Sequence, residues 1–257
     1  MTSPGSTPPV FLAAAADLDS DVIVLSGPEG RHASTVRRLA VGEQVTVADG
    51  AGLLAECVVT GAQRGQLELA VTARRTVPRP EPAIVVVQAI PKGDRGPLAV
   101  ELMTEVGVDA VTAWAAERCI AVWPGDRGER ALDRWRATAR AAAKQSRRAW
   151  LPDVTGPVTT GEVSRMAGAA ALAILLDSAA GDPLGGLDLP SSGDIVVLVG
   201  PEGGVSPAEA ETLMSAGAVR AHLGPTVLRT STAGAVATAV LLSRSARWAV
   251  PGGSAAE

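Results

Sequence analysis

The sequence contains no tyrosine, one phenylalanine and five tryptophans among 257 residues. Aromatic platforms on which several splayed bases could stack are therefore scarce, and a polynucleotide would have to be recognised through its shape and its phosphates. The two cysteines, Cys57 and Cys119, stand far apart and form no Cys-x-x-Cys pair. That excludes a disulfide framework and a zinc site and leaves both as small buried hydrophobes. No stretch approaches the roughly 18 apolar residues that span a bilayer, and the opening "MTSPGSTPPVFLAAAADLDS" has neither a basic start nor a long apolar run. No membrane association and a cytoplasmic location are expected. Dinucleotide-binding G-x-G-x-x-G, the phosphate loop G-x-x-x-x-G-K-[ST], H-E-x-x-H and G-x-S-x-G are also missing, which disfavours a dehydrogenase, an NTPase, a zinc hydrolase and a serine esterase. No metal is expected.

Hydrophobic residues make up 47% of the chain, enough for one large or two modest cores. A formal charge of −4 argues against indiscriminate polyanion binding, yet net charge hides local patches. One such patch runs from Arg127 to Arg148, where Arg127, Arg130, Arg134, Arg136, Arg140, Lys144, Arg147 and Arg148 face only Glu129 and Asp133. At about 100° per residue the basic side chains share one half of a helix, while Leu132, Trp135, Ala139, Ala142, Ala143 and Trp150 share the other. A cationic helix face of this kind is either a solvated exterior or a phosphate contact, and Arg136, Arg140, Lys144 and Arg147 are its candidate contacts.

From about Val10 to Val77 the chain reads as short β-rich pieces divided by glycine-containing turns, "DVIVLSG", "QVTVADG", "LLAECVVTGAQ" and "QLELAVTARR", which predicts a small barrel or curled sheet. Within it "GPEGRHASTVRRLAVG" reads as one short helix with Val36, Leu39 and Ala40 inward and Arg31, His32, Arg37 and Arg38 outward. The proline-rich "RTVPRPEPA" is the best linker, so domains are expected over 1–76 and 77–257. Beyond it, near-continuous apolar strands ("AIVVVQAI", "ALAILLDS", "DIVVLVG") alternate with helices, the pattern of an α/β fold with a parallel sheet covered on both faces.

The phrase Gly-Pro-Glu-Gly occurs twice after an apolar strand, at Gly27–Gly30 and Gly200–Gly203, but the flanking residues do not match, so it is no internal repeat. Ligands of open α/β sheets gather at the carboxyl ends of strands, which directs attention to "LLDS", "VGPEGG" and "LGPTVLRTSTAG". Gly200, Gly203 and Gly204 would permit positive φ and a close approach to a flat ligand. Ser206 with Pro207 and Glu209 reads as a helix N-cap.

Together, "IVVLVGPEGGVSPAEAETL" and "AHLGPTVLRTSTAGAVATAVL" resemble the signature of the SPOUT superfamily of RNA methyltransferases, and more narrowly the RsmE-type enzymes that methylate N3 of a uridine in 16S ribosomal RNA. "GPEGRHASTVRRLAVGEQVTVADGAG" is similar to that family's PUA-like β-barrel, and "RWRATARAAAKQS" to its basic helix. The resemblance implies a SPOUT-type parallel sheet ending in a deep trefoil knot, a homodimer packed through the Ala-rich "TAGAVATAVLL", and S-adenosylmethionine bent against the knot loops. It places Leu176, Val199, Gly200, Pro201, Glu202, Gly203, Leu223, Gly224, Val227, Leu228, Arg229 and Thr230 around that cofactor, and Arg31, His32, Arg37, Arg38 and the basic helix on RNA. Where the family carries Arg and Glu in the last loop, this chain has Thr226 and Ser231.

The implied reaction moves a methyl group from a sulfonium to a ring nitrogen that must first lose its proton, so the enzyme must stabilise an anion or supply a base. Arg229 is expected to stabilise charge or anchor a phosphate. Glu202 is expected to be the base or else to cap a helix, and His222 is expected to be structural. Three readings stay open: the uridine methyltransferase acting on the 30S subunit, a methyltransferase with another RNA target, and a catalytically silent RNA-binding assembly factor. Valine at Gly203 is expected to abolish cofactor binding, and valine at Gly30 to spare it.

Overall fold

The computed structural model describes residues 8–248. The outer limits of both expected domains and the start of the stretch read for a targeting signal lie outside the described residues. The chain separates into two compact units, one of residues 1–79 with 143–151 and one of 80–142 with 152–257.

The first unit is a five-stranded sheet in the order β1 (Val10–Leu12), β3 (Gln44–Ala48), β4 (Leu53–Gln63), β5 (Gln66–Thr76) and β2 (Val22–Leu25). Strict alternation makes β5 two-faced: Leu67 and Leu69 point into the core while Gln66 and Glu68 face water. The β4–β5 ladder slips at Glu56/Cys57 and Val59/Gly61, and such bulges bend a sheet around its core. Phe11, Leu18, Ile23, Val45, Val47 and Cys57 fill that core. Residues 143–151 were expected in the second domain, yet they complete the first unit. Gly52 donates to the Ala149 carbonyl at 3.1 Å, Leu151 to Gly50 at 2.9 Å, and the Trp150 indole to Val77 at 2.9 Å. Ala149 and Leu151 pack on Val10, Leu12, Ala48 and Leu54.

The single helix expected over "GPEGRHASTVRRLAVG" is instead a short α1 (Ala15–Leu18) earlier in the chain, then α2 (Gly27–Arg31) followed by one π-helical stretch, His32–Val36. The wider turn rotates the following residues, so Ala33 and Gly30 face the core while Val36 is 67% exposed and Ala40 is also exposed. Of the three expected inward residues only Leu39 packs against the core.

The second unit is a six-stranded, all-parallel sheet in the order β11-β9-β10-β6-β7-β8, formed by β6 (Ala83–Ala89), β7 (Ala110–Trp114), β8 (Asp153–Val158), β9 (Leu172–Leu176), β10 (Asp194–Val199) and β11 (Val219–Ala221). The chain runs outward through β6, β7 and β8, returns to β9, and then inserts β10 between β9 and β6. Alternate residues of the central strands serve opposite layers. Ile84, Val86, Ile195 and Val197 pack with α3 (Arg95–Val106), α4 (Gly125–Gln145) and α7 (Thr230–Arg244). Val87, Ala89, Val196 and Leu198 pack with α5 (Thr160–Ala169) and α6 (Pro207–Ser215). Burial on both faces is why these strands read as unbroken apolar runs. On α4, Leu132, Trp135, Ala139, Ala142 and Ala143 are all buried.

Helix α7 lies close on its neighbours because Gly234 leaves no room: a Cβ there would stand 2.6 Å from the Met103 sulfur and 3.3 Å from Val86. Its alanines at 233, 235 and 237 are consequently covered within the chain, whereas Val236 on the far side is 37% exposed. Among the described residues, no helix is long and apolar enough to cross a membrane.

Candidate functional site

The loops that leave the carboxyl ends of β6, β7, β9, β10 and β11 enclose a cavity of about 780 Å³, within the usual range for small-molecule sites. Leu176 comes from the end of β9; Val199, Gly200, Pro201, Glu202 and Gly203 from the loop after β10; and Leu223, Gly224, Val227, Leu228, Arg229 and Thr230 from the loop after β11. All twelve residues expected around a cofactor line this one space. Lys92, Arg95, Ile120, Asp177, Val205 and Thr226 line it as well and were not among them. Lys92 and Arg95 were within reach of the sequence, since "PKGDRG" also follows a strand's carboxyl end.

The glycine-rich loop differs from expectation in its backbone. Only Gly204 has positive φ, at 72°, and its N–H closes a turn on the Pro201 carbonyl at 2.9 Å. Gly200 is needed for room, because a Cβ would meet Val205 Cγ2 at 2.8 Å. At Gly203 the nearest atom to such a Cβ is Arg118 Cβ at 3.4 Å, an ordinary contact, so this position tolerates more than expected. The first copy of the phrase is the tighter one: a Cβ on Gly30 would lie 2.4 Å from the Leu25 carbonyl oxygen and 2.5 Å from that of Gly65.

A buried polar relay holds the two cavity loops together. Gln88, fully buried at the end of β6, donates from Nε2 to Thr230 Oγ1 at 2.9 Å and to the Ala89 carbonyl at 3.1 Å. Thr230 in turn donates to the Gly200 carbonyl at 2.8 Å. The Gln88 Oε1 is buried without a partner, an arrangement that costs about 1–3 kcal/mol and is uncommon away from functional sites.

Behind the loop, Ser206 caps α6 and shares a capping box with Glu209. Glu209 is 6% exposed, and its Oε1 accepts from the Glu117 N–H at 2.9 Å and from Thr160 Oγ1 at 2.7 Å. This fastens the loop after β7 to the starts of α5 and α6. Asp177 and Arg220 form an ion pair on the cavity's outer wall. Burial pushes the Asp177 carboxyl up, but the Ala179 N–H and the Arg220 guanidinium outweigh it and hold the group below its ordinary range.

Glu202 is exposed, and its Oε1 accepts from the Lys92 backbone N–H at 3.2 Å. Arg229 is exposed at the N-cap position of α7. His222 Nδ1 accepts from the Gly224 N–H at 3.0 Å, a local bond that shapes the last loop.

The residues expected on RNA fall into different circumstances. Arg31, His32, Arg37 and Arg38 are exposed on the first unit, Arg38 with positive φ. Arg140 and Arg147 are exposed, while Arg136 already bonds Asp133 and the Val154 carbonyl. Lys144 is a correction: its ammonium lies 2.7 and 2.8 Å from the two Glu29 oxygens and 5.7 Å from the Phe11 ring centroid, so it is an internal ion pair and not a surface cation. The glutamate of the first Gly-Pro-Glu-Gly thus anchors the end of α4. Among the described residues, no group of three or more His, Cys, Asp or Glu is placed to hold a metal ion.

Comparison with known proteins decides the family. The RNA methyltransferase domain family matches residues 79–242, and its PUA domain family matches residues 25–72. The ribosomal RNA small subunit methyltransferase E of Mycobacterium bovis is 47% identical over 231 residues, covering 88% of each chain. The chain belongs to the RNA methyltransferase family that includes ribosomal RNA small subunit methyltransferase E. Solved structures of such methyltransferases share its fold. The Neisseria gonorrhoeae small subunit methyltransferase E bound to S-adenosyl methionine is 28% identical, with a TM-score of 0.82 over 92% of this chain and 98% of its own. The Legionella pneumophila putative methyltransferase with bound SAM is 26% identical, with a TM-score of 0.81 over 93% and 99%.

Proposed function

We propose that this RNA methyltransferase uses S-adenosylmethionine to methylate N3 of a uridine in 16S ribosomal RNA, on the assembled 30S subunit in the cytoplasm. The observation that carries the reading is the cavity at the carboxyl ends of β6, β9, β10 and β11, bounded by two glycine-containing loops that a buried threonine ties together. Its residues fit the cofactor. The volume suits a molecule of that size, Gly200 lets the backbone pass without a side chain in the way, and the apolar Leu176, Val199, Leu223 and Leu228 offer faces to a flat base. When bound, S-adenosylmethionine supplies an electrophilic methyl group on a sulfonium.

The chain's own residues must then manage the proton and the charge on the nucleobase. Glu202 offers a carboxylate whose Oε1 is steadied by the Lys92 N–H, and this is our choice for the group that takes the N3 proton. Arg229 stands on the opposite loop, where its fixed positive charge would stabilise the anion spread over N3 and the two carbonyl oxygens. Domains over 1–76 and 77–257 divide the work, the first as a PUA-like RNA-binding module presenting Arg31, His32, Arg37 and Arg38. The C-terminal loops form a deep trefoil knot, and the chain pairs as a homodimer through the outward side of α7, where Val236 remains uncovered.

The deciding experiment is transfer of labelled methyl to 30S subunits that lack the modification, with free 16S RNA and bulk transfer RNA in parallel. Label recovered as 3-methyluridine from 30S subunits is expected. Label in another nucleoside or only in transfer RNA would refute the assigned target, and cofactor binding without any transfer would support a silent binding protein.

A further inference from the structure

Four basic residues of the described chain are neither exposed nor fully buried: Arg95, Lys144, Arg148 and Arg247. Lys144 is neutralised by Glu29, Arg247 by Asp109, and Arg148 is also engaged. The Arg95 guanidinium alone among them has no hydrogen bond, ion pair or ring contact with any described residue. A partly desolvated cation without a counter-charge is unfavourable unless an anion arrives from outside. Arg95 lines the cavity, with Lys92 also on its wall. The two carboxylates on the same wall are committed elsewhere, Glu202 to the Lys92 N–H and Asp177 to Arg220.

We propose that Arg95, assisted by Lys92, is the subsite for a phosphodiester of the RNA strand that presents the target nucleotide, an inference that rests on the RNA-methylating reading above. S-adenosylmethionine carries two positive charges and one negative charge, so a net cation gains nothing from a cavity with unneutralised Arg95, Lys92 and Arg229. The surplus positive charge complements a polyanion. A guanidinium grips two phosphate oxygens at once, which fixes the strand's orientation as well as its place. Beside it, Ile120 and Val227 are 65% and 80% exposed on the cavity's lining, an apolar surface that a nucleoside can cover where no aromatic ring is available to stack on it.

The test is binding of labelled 16S ribosomal RNA across a series of KCl concentrations for wild type, Arg95→Gln, Lys92→Gln and, as a control on α5, Arg165→Gln, with cofactor affinity measured separately by calorimetry. Loss of one phosphate contact lowers the slope of log K against log salt by about 0.7 for single-stranded RNA. Arg95→Gln is expected to show that change with about a tenfold loss of RNA affinity and unaltered cofactor affinity. Arg165→Gln should leave the slope alone. An unchanged slope in Arg95→Gln, an equal change in the control, or a loss confined to cofactor affinity would each overturn the subsite, the last by assigning Arg95 to the cofactor's carboxylate. These measurements need no methyl transfer, so failure of wild-type transfer to 30S subunits would count against the target reading separately.

Discussion

At the scale of single residues, the side chain with the most to explain is Gln88, because its amide nitrogen is fully used while its oxygen is buried without a partner. A leucine there would remove the orphan oxygen and lose two hydrogen bonds, terms of similar size and opposite sign. Gln88→Leu should therefore leave the melting temperature within a few degrees of wild type. Thr230 would lose the donor that orients it, and the Gly200 carbonyl would lose its tether. Cofactor affinity, read by calorimetry, should fall about tenfold, and equal affinity would refute the relay's role. The cysteines make a plainer case. Burial, partly countered by Arg74, pushes the Cys57 thiol up to about 11, and burial raises Cys119 as well. Neither thiolate is populated near neutral pH, so both should resist a disulfide reagent in the native protein and react after denaturation. Asp177 titrates in the other direction. Its lowered folded value means that its contribution to stability is complete above the ordinary 3.8 and is lost as the pH falls through the folded value. Asp177→Asn should remove part of the acid-side loss in a stability profile below about pH 4.

At the scale of elements, the two copies of Gly-Pro-Glu-Gly show how far a phrase can be read. Both follow an apolar strand, and that much is visible in the letters. What separates them is the backbone each one meets. Gly30 is wedged against two carbonyl oxygens, which cannot move aside as a side chain can. Gly30→Ala should destabilise the protein by about 1–3 kcal/mol in urea denaturation, whereas Gly203→Ala should lie within about 0.5 kcal/mol of wild type. The strands of the second unit were legible because burial on both faces leaves an unbroken apolar signature. β8 was not: Gly156 and Pro157 interrupt it, and proline is admissible there only because β8 is the sheet's edge. The π-helical stretch at His32–Val36 was invisible for another reason. One added residue per turn leaves composition unchanged and shifts which residues face inward, and Val36 is the residue it displaced.

At the scale of the whole molecule, the cavity was legible and its charge pairing was not. The residues expected around a ligand came from loops after strands, and a parallel sheet brings all such loops to one edge. Nothing local, by contrast, ties Lys144 to Glu29, 115 positions away. Each member of that pair keeps less than a fifth of its side chain exposed, so its strength lies between the values for surface and buried pairs. Lys144→Met should cost about 2 kcal/mol by leaving Glu29 unpaired, and pairing it with Glu29→Leu should recover most of the loss in a double-mutant cycle.

The assignment of residues 143–151 to the first unit also bears on the order in which the protein is made. A nascent chain that has emerged as far as Arg79 holds every strand of the first sheet but not Ala149, Trp150 and Leu151, so Val10, Leu12, Ala48 and Leu54 wait with an apolar side uncovered. The first unit to be synthesised is therefore not the first to be finished, and its completion is timed by translation of α4, the helix that delivers the missing piece.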